Sequence, residues 1–281
     1  MHPRHEPGAA RPQIDVREHW DMSTPSSPAD WLRLAEQLAR WAIDHVGPVG
    51  RRAVETKAGP SDLVTDTDRA VERHVRDEVQ RAFPDHRIVG EEYGGTAADA
   101  PTWYVDPIDG TTNFARGVPW FSFSAGIVAD GLVAGVVADL ARGEVLSALV
   151  GQGARLDGQP VRCADITDLS GEVVLTEWSR SRPWPGMLDM LDRLVQQDCT
   201  SRIMGSSALS LASVAVGRAA AAVVGRYNPW DVLGGIALAR ASGAVVMSRR
   251  GPHDDAMPPP DGVLVAAPGV AEKAWKAWTG A

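Results

Sequence analysis

The sequence predicts an α/β protein, built as α+β layers in which helices alternate with sheets. Three observations carry that prediction. Apolar runs in the first half are separated by tight-turn pairs at Asp130-Gly131, Arg142-Gly143 and Asp157-Gly158, the mark of an antiparallel meander. From about residue 170, strand-like and helix-like segments alternate instead. At 281 residues, 44% of them hydrophobic, the chain is long enough to fill cores between several layers.

Residues 1–28 hold Pro3, Pro7, Pro12, Pro25 and Pro28 among polar residues, and a disordered or loosely attached arm is expected there. One domain is expected over 29–281, with an antiparallel-rich half at about 29–165 and an alternating half at about 166–281. Ser27-Pro28 reads as a helix N-cap followed by a first-turn proline. Trp31, Leu34, Leu38, Trp41, Ala42 and His45 repeat at helical spacing, and Gly47-Pro48 ends that helix. A second helix is expected from Asp66 to Phe83 on Val71, Val75, Val79 and Phe83, stopped by Pro84. Strands follow at 87–89, 102–105, 121–129, 132–139 and 144–150, and Asp157-Gly158 closes another hairpin. Beyond them, 173–176, 220–224 and 244–247 read as strands, and 185–197, 208–216 and 231–241 as helices.

Composition excludes several classes of function. A net charge of -8 argues against a nucleic-acid partner or an anionic membrane surface. Cys163 and Cys199 form neither a disulfide framework nor a zinc motif, which suits a reducing compartment. Asp130, Asp139 and Arg218 interrupt the best apolar runs, so no membrane span is expected. No secretory signal is read at the start of the chain, and a cytoplasmic location is expected.

Chemistry concentrates in Asp106-Pro107-Ile108-Asp109-Gly110-Thr111-Thr112-Asn113-Phe114. Two carboxylates leaving a strand end suit a hard cation such as Mg²⁺. A Gly-Thr-Thr helix start offers backbone N–H groups and a dipole to an anion. Taken alone, the same residues also describe a solvated turn. Three more segments carry acids at element ends. These are Ser61-Asp62-Leu63-Val64-Thr65-Asp66-Thr67-Asp68, Gly90-Glu91-Glu92 and Trp230-Asp231. Each has a plain reading as a helix cap or a charged surface.

The four segments in this order resemble the inositol monophosphatase family of lithium-sensitive, Mg²⁺-dependent phosphatases, from about residue 30 to the C-terminus. The resemblance implies an α-β-α-β-α sandwich, a homodimer and two to three Mg²⁺ per site. It places Glu91, Asp106, Asp109, Asp231 and the Ile108 carbonyl as metal ligands, with Asp68 reached through water. It gives Glu91 and Thr111 the orientation and deprotonation of the attacking water. Gly110, Thr111 and Thr112 would hold phosphate, Gly205, Ser206 and Asp231 would line the substrate pocket, and Lys57 would lie near the metal cluster. Inositol-specific members carry a glutamate seven residues before the Trp-Asp aspartate, where this chain has Val224.

The expected substrate is a small polyol or cyclitol monophosphate, with myo-inositol 1-phosphate leading. Histidinol phosphate, fructose 1,6-bisphosphate and adenosine 3′,5′-bisphosphate are the alternatives. A catalytically silent regulatory protein is the reading from another class.

Overall fold

The computed structural model describes residues 27–50, 55–56, 63–178 and 182–281. The expected arm at 1–28 therefore lies outside the described residues except for Ser27 and Pro28, which already belong to the first helix. That helix, α1 (Pro28–Val46), is capped by a reciprocal pair in which Ser27 and Asp30 each accept the other's backbone N–H. A short ribbon, β1 (Glu55–Thr56) with β2 (Leu63–Val64), precedes α2 (Asp66–Ala82), whose cap is the same pairing made by Thr65 and Asp68.

Seven strands follow: β3 (Arg87–Gly90), β4 (Thr102–Asp109), β5 (Ser122–Ala129), β6 (Gly131–Asp139), β7 (Glu144–Leu149), β8 (Gly153–Leu156) and β9 (Gln159–Val161). They form one sheet in chain order, antiparallel except for β3 and β4, with a short helix α3 (Thr111–Arg116) after β4. The remaining elements are β10 (Val173–Thr176), α4 (Met187–Val195), β11 (Thr200–Ile203), α5 (Ser207–Ala215), β12 (Ala221–Val224), α6 (Pro229–Ser242), β13 (Val245–Ser248), β14 (Gly251–Pro252), β15 (Val263–Ala266) and α7 (Ala271–Thr279). Their strands make a second, mixed sheet in the order β11-β10-β12-β15-β13-β14.

Three cores fill the four interfaces between five layers, one of them spanning both faces of the inner helices. Leu34 and Val71 of the first two helices pack with Trp103, Val105 and Val136 on one face of the first sheet. The alternating residues Tyr104 and Val137 turn to the opposite face, where Leu209, Leu233 and Ile236 of α5 and α6 bridge to Leu175, Ala222 and Val265 of the second sheet. Met187, Met190 and Trp278 of α4 and α7 cover its outer face over Val174, Val223 and Leu264. The layering is α-β-α-β-α, as the resemblance implied.

The expected helices and strands are present with ends shifted by at most two residues, except the strand expected at 102–105, which continues through Asp106 to Asp109. β11, β15 and α7 were not anticipated. Thr200–Ile203 opens with three polar residues in succession, and β15 emerges from a proline-rich stretch, so neither carries a clean strand period.

Glycines let α6 approach the first sheet. A Cβ at Gly135 would stand 2.6 Å from the Ala237 Cβ and the Gly234 carbonyl, and one at Gly126 would stand 2.5 Å from the Leu233 Cβ. Gly135→Ala therefore overpacks this seam, and a loss of about 1–3 kcal/mol is expected in urea unfolding. A loss below about 0.5 kcal/mol would mean that the helix can slide. Both cysteines are free. No helix of the described residues is long and apolar enough to cross a membrane.

Candidate active site

The parallel pairing of β3 with β4 ends with Gly90 opposite Val105, so Glu91, just past β3, stands beside Asp106 within β4. The Glu91 N–H donates to the Val105 carbonyl at 3.2 Å. Beyond Asp106 the β4–β5 register shifts until Asp109 pairs with Ser122. Pro107 lies inside that interval and has no N–H for the ladder, which is where a bulge belongs. The Ile108 carbonyl is thus turned to the Thr111 hydroxyl, which donates to it at 3.0 Å.

Gly110 caps α3 at φ +92°, a conformation other residues adopt with strain, and no side chain caps the first turn of that helix. A Cβ there would also meet the Gly205 carbonyl at 2.8 Å, so the starts of α3 and α5 touch through backbone. Asn113 fastens them, donating its amide to Met204 O at 2.6 Å and Trp120 O at 2.8 Å. Ser206 caps α5, shares a 3.0 Å hydrogen bond with Ser122 and donates to Asp109 Oδ2 at 2.6 Å. Ala208 N–H donates to the same oxygen at 2.7 Å. Asp231 is the third residue of α6 and accepts the Asn228 N–H at 2.7 Å. Asp68 is wholly buried, accepts from the Thr65 hydroxyl and lies 3.4 Å from the Thr111 hydroxyl.

Electrostatics shows the convergence. Burial, and then the charges of Glu91, Asp109, Asp231 and Asp68 in that order, hold the Asp106 carboxyl well above the usual carboxylate range. Asp231 is raised by burial and then by Asp109. Burial pushes Asp109 up to about 7 against the Ser206 and Ala208 hydrogen bonds, and pushes Asp68 up to about 6 against those from Thr65. Five acids from four segments, two of them on β4, share one neighbourhood. Among the described residues, though, no three of the His, Cys, Asp and Glu side chains already close into a ligand shell. Their mutual repulsion opposes a tighter approach.

The donors nonetheless fit a hard cation. They are carboxylates and a carbonyl, the oxygen set that Mg²⁺ takes. Asp106 Oδ1 is buried without a hydrogen-bond partner, and such an atom in a native core calls for an ion or water.

The chain matches the model of the inositol monophosphatase family over residues 31–280. The chain belongs to that family. As an inositol monophosphatase family member it is a phosphoric monoester hydrolase of a metal-dependent kind. It is 35% identical to the inositol-1-monophosphatase of Mycobacterium leprae, across 89% of this chain and 94% of that one. It is likewise 35% identical to Nus factor SuhB of Pasteurella multocida, across 70% and 76%. The solved Thermotoga maritima IMPase superposes with a TM-score of 0.81 at 30% identity, covering 89% of this chain and 97% of its own.

Of the expected site residues in this inositol monophosphatase family member, Asp68, Glu91, Asp106, Ile108, Asp109, Gly110, Thr111, Gly205, Ser206 and Asp231 come to one place. Thr112 is exposed on the first turn of α3. Lys57 lies outside the described residues. Val224 is buried at the end of β12, so the position of the inositol-type glutamate is apolar. Asp68 combines the two readings given to it, because it caps α2 and faces the acids. A cleft of about 620 Å³ lined by Arg155, Arg162 and Arg240 sits at the opposite end of α6 from Asp231 and takes no part in this constellation.

Two supporting acids escaped the sequence reading. Glu72 is wholly buried, one turn after Asp68, and accepts the Glu92 and Tyr93 N–H groups at 2.7 and 3.1 Å, clamping the turn that carries Glu91. A Cβ at Gly90 would fall 2.2 Å from its Oε1, which explains that glycine. Glu177 follows β10 and bonds Gly205 and Ser210. Both carried a legible signal. Glu72 interrupts the apolar stripe of α2, and Glu177 is an acid at the end of a buried strand, as Asp109 is.

Proposed function

We propose that this chain is a Mg²⁺-dependent phosphomonoesterase acting on a small polyol or cyclitol monophosphate, with myo-inositol 1-phosphate the leading substrate. The observation that carries the reading is the buried, partnerless Asp106 Oδ1 at the centre of four other acids. Glu91, Asp106, Asp109, Asp231 and the Ile108 carbonyl would hold the cations, two to three per site, with Asp68 one water away. Bound Mg²⁺ supplies positive charge for the phosphate and lowers the pKa of a water. Glu91 and the Thr111 hydroxyl orient that water, and Asp68, within reach of the same hydroxyl, supports the proton's departure. The first-turn N–H groups at Gly110, Thr111 and Thr112 receive phosphate oxygens. No protein nucleophile is required, so no phospho-enzyme forms.

The substrate preference rests on the name of the Mycobacterium leprae relative. Another relative, from Thermotoga maritima, is named fructose-1,6-bisphosphatase/inositol-1-monophosphatase, which keeps a bisphosphate in view. With Val224 in place of a polar anchor, ring hydroxyls lose a partner and discrimination among polyol phosphates is expected to be weak. The test is release of inorganic phosphate from a panel including inositol 1-phosphate, fructose 1,6-bisphosphate, histidinol phosphate and adenosine 3′,5′-bisphosphate, with Mg²⁺, with Li⁺ added, and in chelator. Mg²⁺-dependent, Li⁺-suppressed turnover of at least one is expected. Activity that survives excess chelator would overturn the reading.

Several relatives bear the name Nus factor SuhB, and that name favours a regulatory role as the second reading. Metal binding without turnover on any member of the panel would select it. A homodimer belongs to the first reading and is checked by sedimentation.

A further inference from the structure

Asp109 is held from one side only. Its Oδ2 accepts from Ser206 Oγ and Ala208 N–H, and the Ser207 N–H also bonds the carboxyl, all at the start of α5. The placement of Asp109 is therefore only as definite as the placement of that turn. The turn follows β11 of the second sheet, whereas Asp109 ends β4 of the first, and something must set the distance between them.

Glu177 occupies the position to do so. It is 4% exposed at the end of β10, and its Oε2 accepts the Gly205 N–H while its Oε1 pairs with Ser210 Oγ at 2.5 Å. One carboxyl thus ties the residue before the α5 cap to a residue one turn inside the helix. Its own backbone is anchored as well, because the Trp184 indole donates to the Glu177 carbonyl at 3.1 Å. The far side of the same turn is braced by Asn113, whose amide lies 2.8 Å from where a Gly205 Cβ would sit. The turn is gripped between Asn113 and Glu177, with no slack for a side chain at Gly205.

We propose that Glu177 is a positioning residue for cation binding, acting on Asp109 through the Gly205–Ser206 turn and the start of α5. This rests on the reading of Asp109 as a metal ligand. Burial pushes Glu177 up to about 8, so its hydrogen-bonding shape rather than its charge does the holding at neutral pH. An amide of the same shape then suffices. Its oxygen accepts from Gly205 and its NH₂ donates to Ser210.

The experiment is calorimetric titration of the metal-free, full-length protein with Mg²⁺ alone, beside a thermal melt of each variant. Glu177→Ala is expected to weaken Mg²⁺ binding about tenfold, in the range seen for lost outer-shell partners of metal ligands. Glu177→Gln is expected to restore it to within about twofold, and Ser210→Ala, which removes one of the two bonds, to weaken it about threefold. Leu194→Ala, a cavity in the outer core far from the acids, lowers the melting temperature and leaves Mg²⁺ affinity unchanged. Wild-type affinity in folded Glu177→Ala would overturn the proposal; should that variant not fold, wild-type affinity in Ser210→Ala does the same. Failure of Glu177→Gln to restore binding would also overturn it. Asp109→Asn separates the two levels. If it keeps wild-type Mg²⁺ affinity, the metal-site reading fails, and if it loses affinity while Glu177→Ala does not, only the present proposal fails.

Discussion

Replacing Asp109 by Asn is expected to reduce phosphate release by roughly 10³-fold or more while making the metal-free protein more stable at pH 8. The two effects have one cause. Asparagine keeps a carbonyl oxygen for Ser206 Oγ and Ala208 N–H, so the seam between α3 and α5 is preserved. It removes a negative charge from a buried cluster in which burial and neighbouring acids, Asp109 among them, hold Asp106 and Asp231 well above the usual carboxylate range. Burial holds the Asp109 carboxyl up at about 7, so ionising it in the fold costs on the order of 4 kcal/mol, most of which the amide avoids. A rise in melting temperature on the order of 5–10 °C in chelator should accompany the loss of activity. An inactive variant with an unchanged or lower melting temperature would show that the acids do not repel as their burial implies.

Metal-free protein is expected to lose stability between pH 6.5 and 8.5, and Mg²⁺ to restore more of it at the higher pH. The sign follows from the direction of the shifts. Asp109 rises from 3.8 to about 7 and Glu177 from 4.5 to about 8, so the folded state keeps protons that the unfolded chain has already released. Stability is then highest below the unfolded values and falls as pH climbs through the folded ones. Over this window the two groups together account for about 2–3 kcal/mol. That corresponds to a fall on the order of 5–10 °C. His86 works in the opposite sense at lower pH. Burial lowers it from 6.5 to about 4, and Trp103 Nε1 donates to its Nδ1 at 3.0 Å, so protonation below pH 6.5 opposes the fold. The window above 6.5 isolates the acids. Melts at both pH values, with and without Mg²⁺, check this, and a chelator curve that is flat or rising contradicts it.

Much of the site was legible because its residues sit where secondary structure begins or ends. Asp106 and Asp109 flank a proline that no central strand tolerates without a bulge, and Asp231 follows a proline that opens α6. Such local punctuation survives in one dimension. Glu72 and Glu177 were harder, since their importance depends on which backbone N–H groups the fold brings to them, twenty or more residues away. β11 and β15 were harder again, because a strand at the edge of a sheet or inside a mixed one owes its state to its neighbours rather than to its period.

From its residues alone this chain declared layered helices and sheets, the acids and their oxygen chemistry, and the family whose motif order they follow. Only the folded chain decided that five acids from four distant segments share one buried neighbourhood, that Asp106 keeps an oxygen without a partner, and that Glu177 grips the turn behind Asp109. The division is physical. Caps, turns and periodicity are local energies written into neighbouring residues. Burial, repulsion between acids and hydrogen bonds across sheets exist only once distant segments meet.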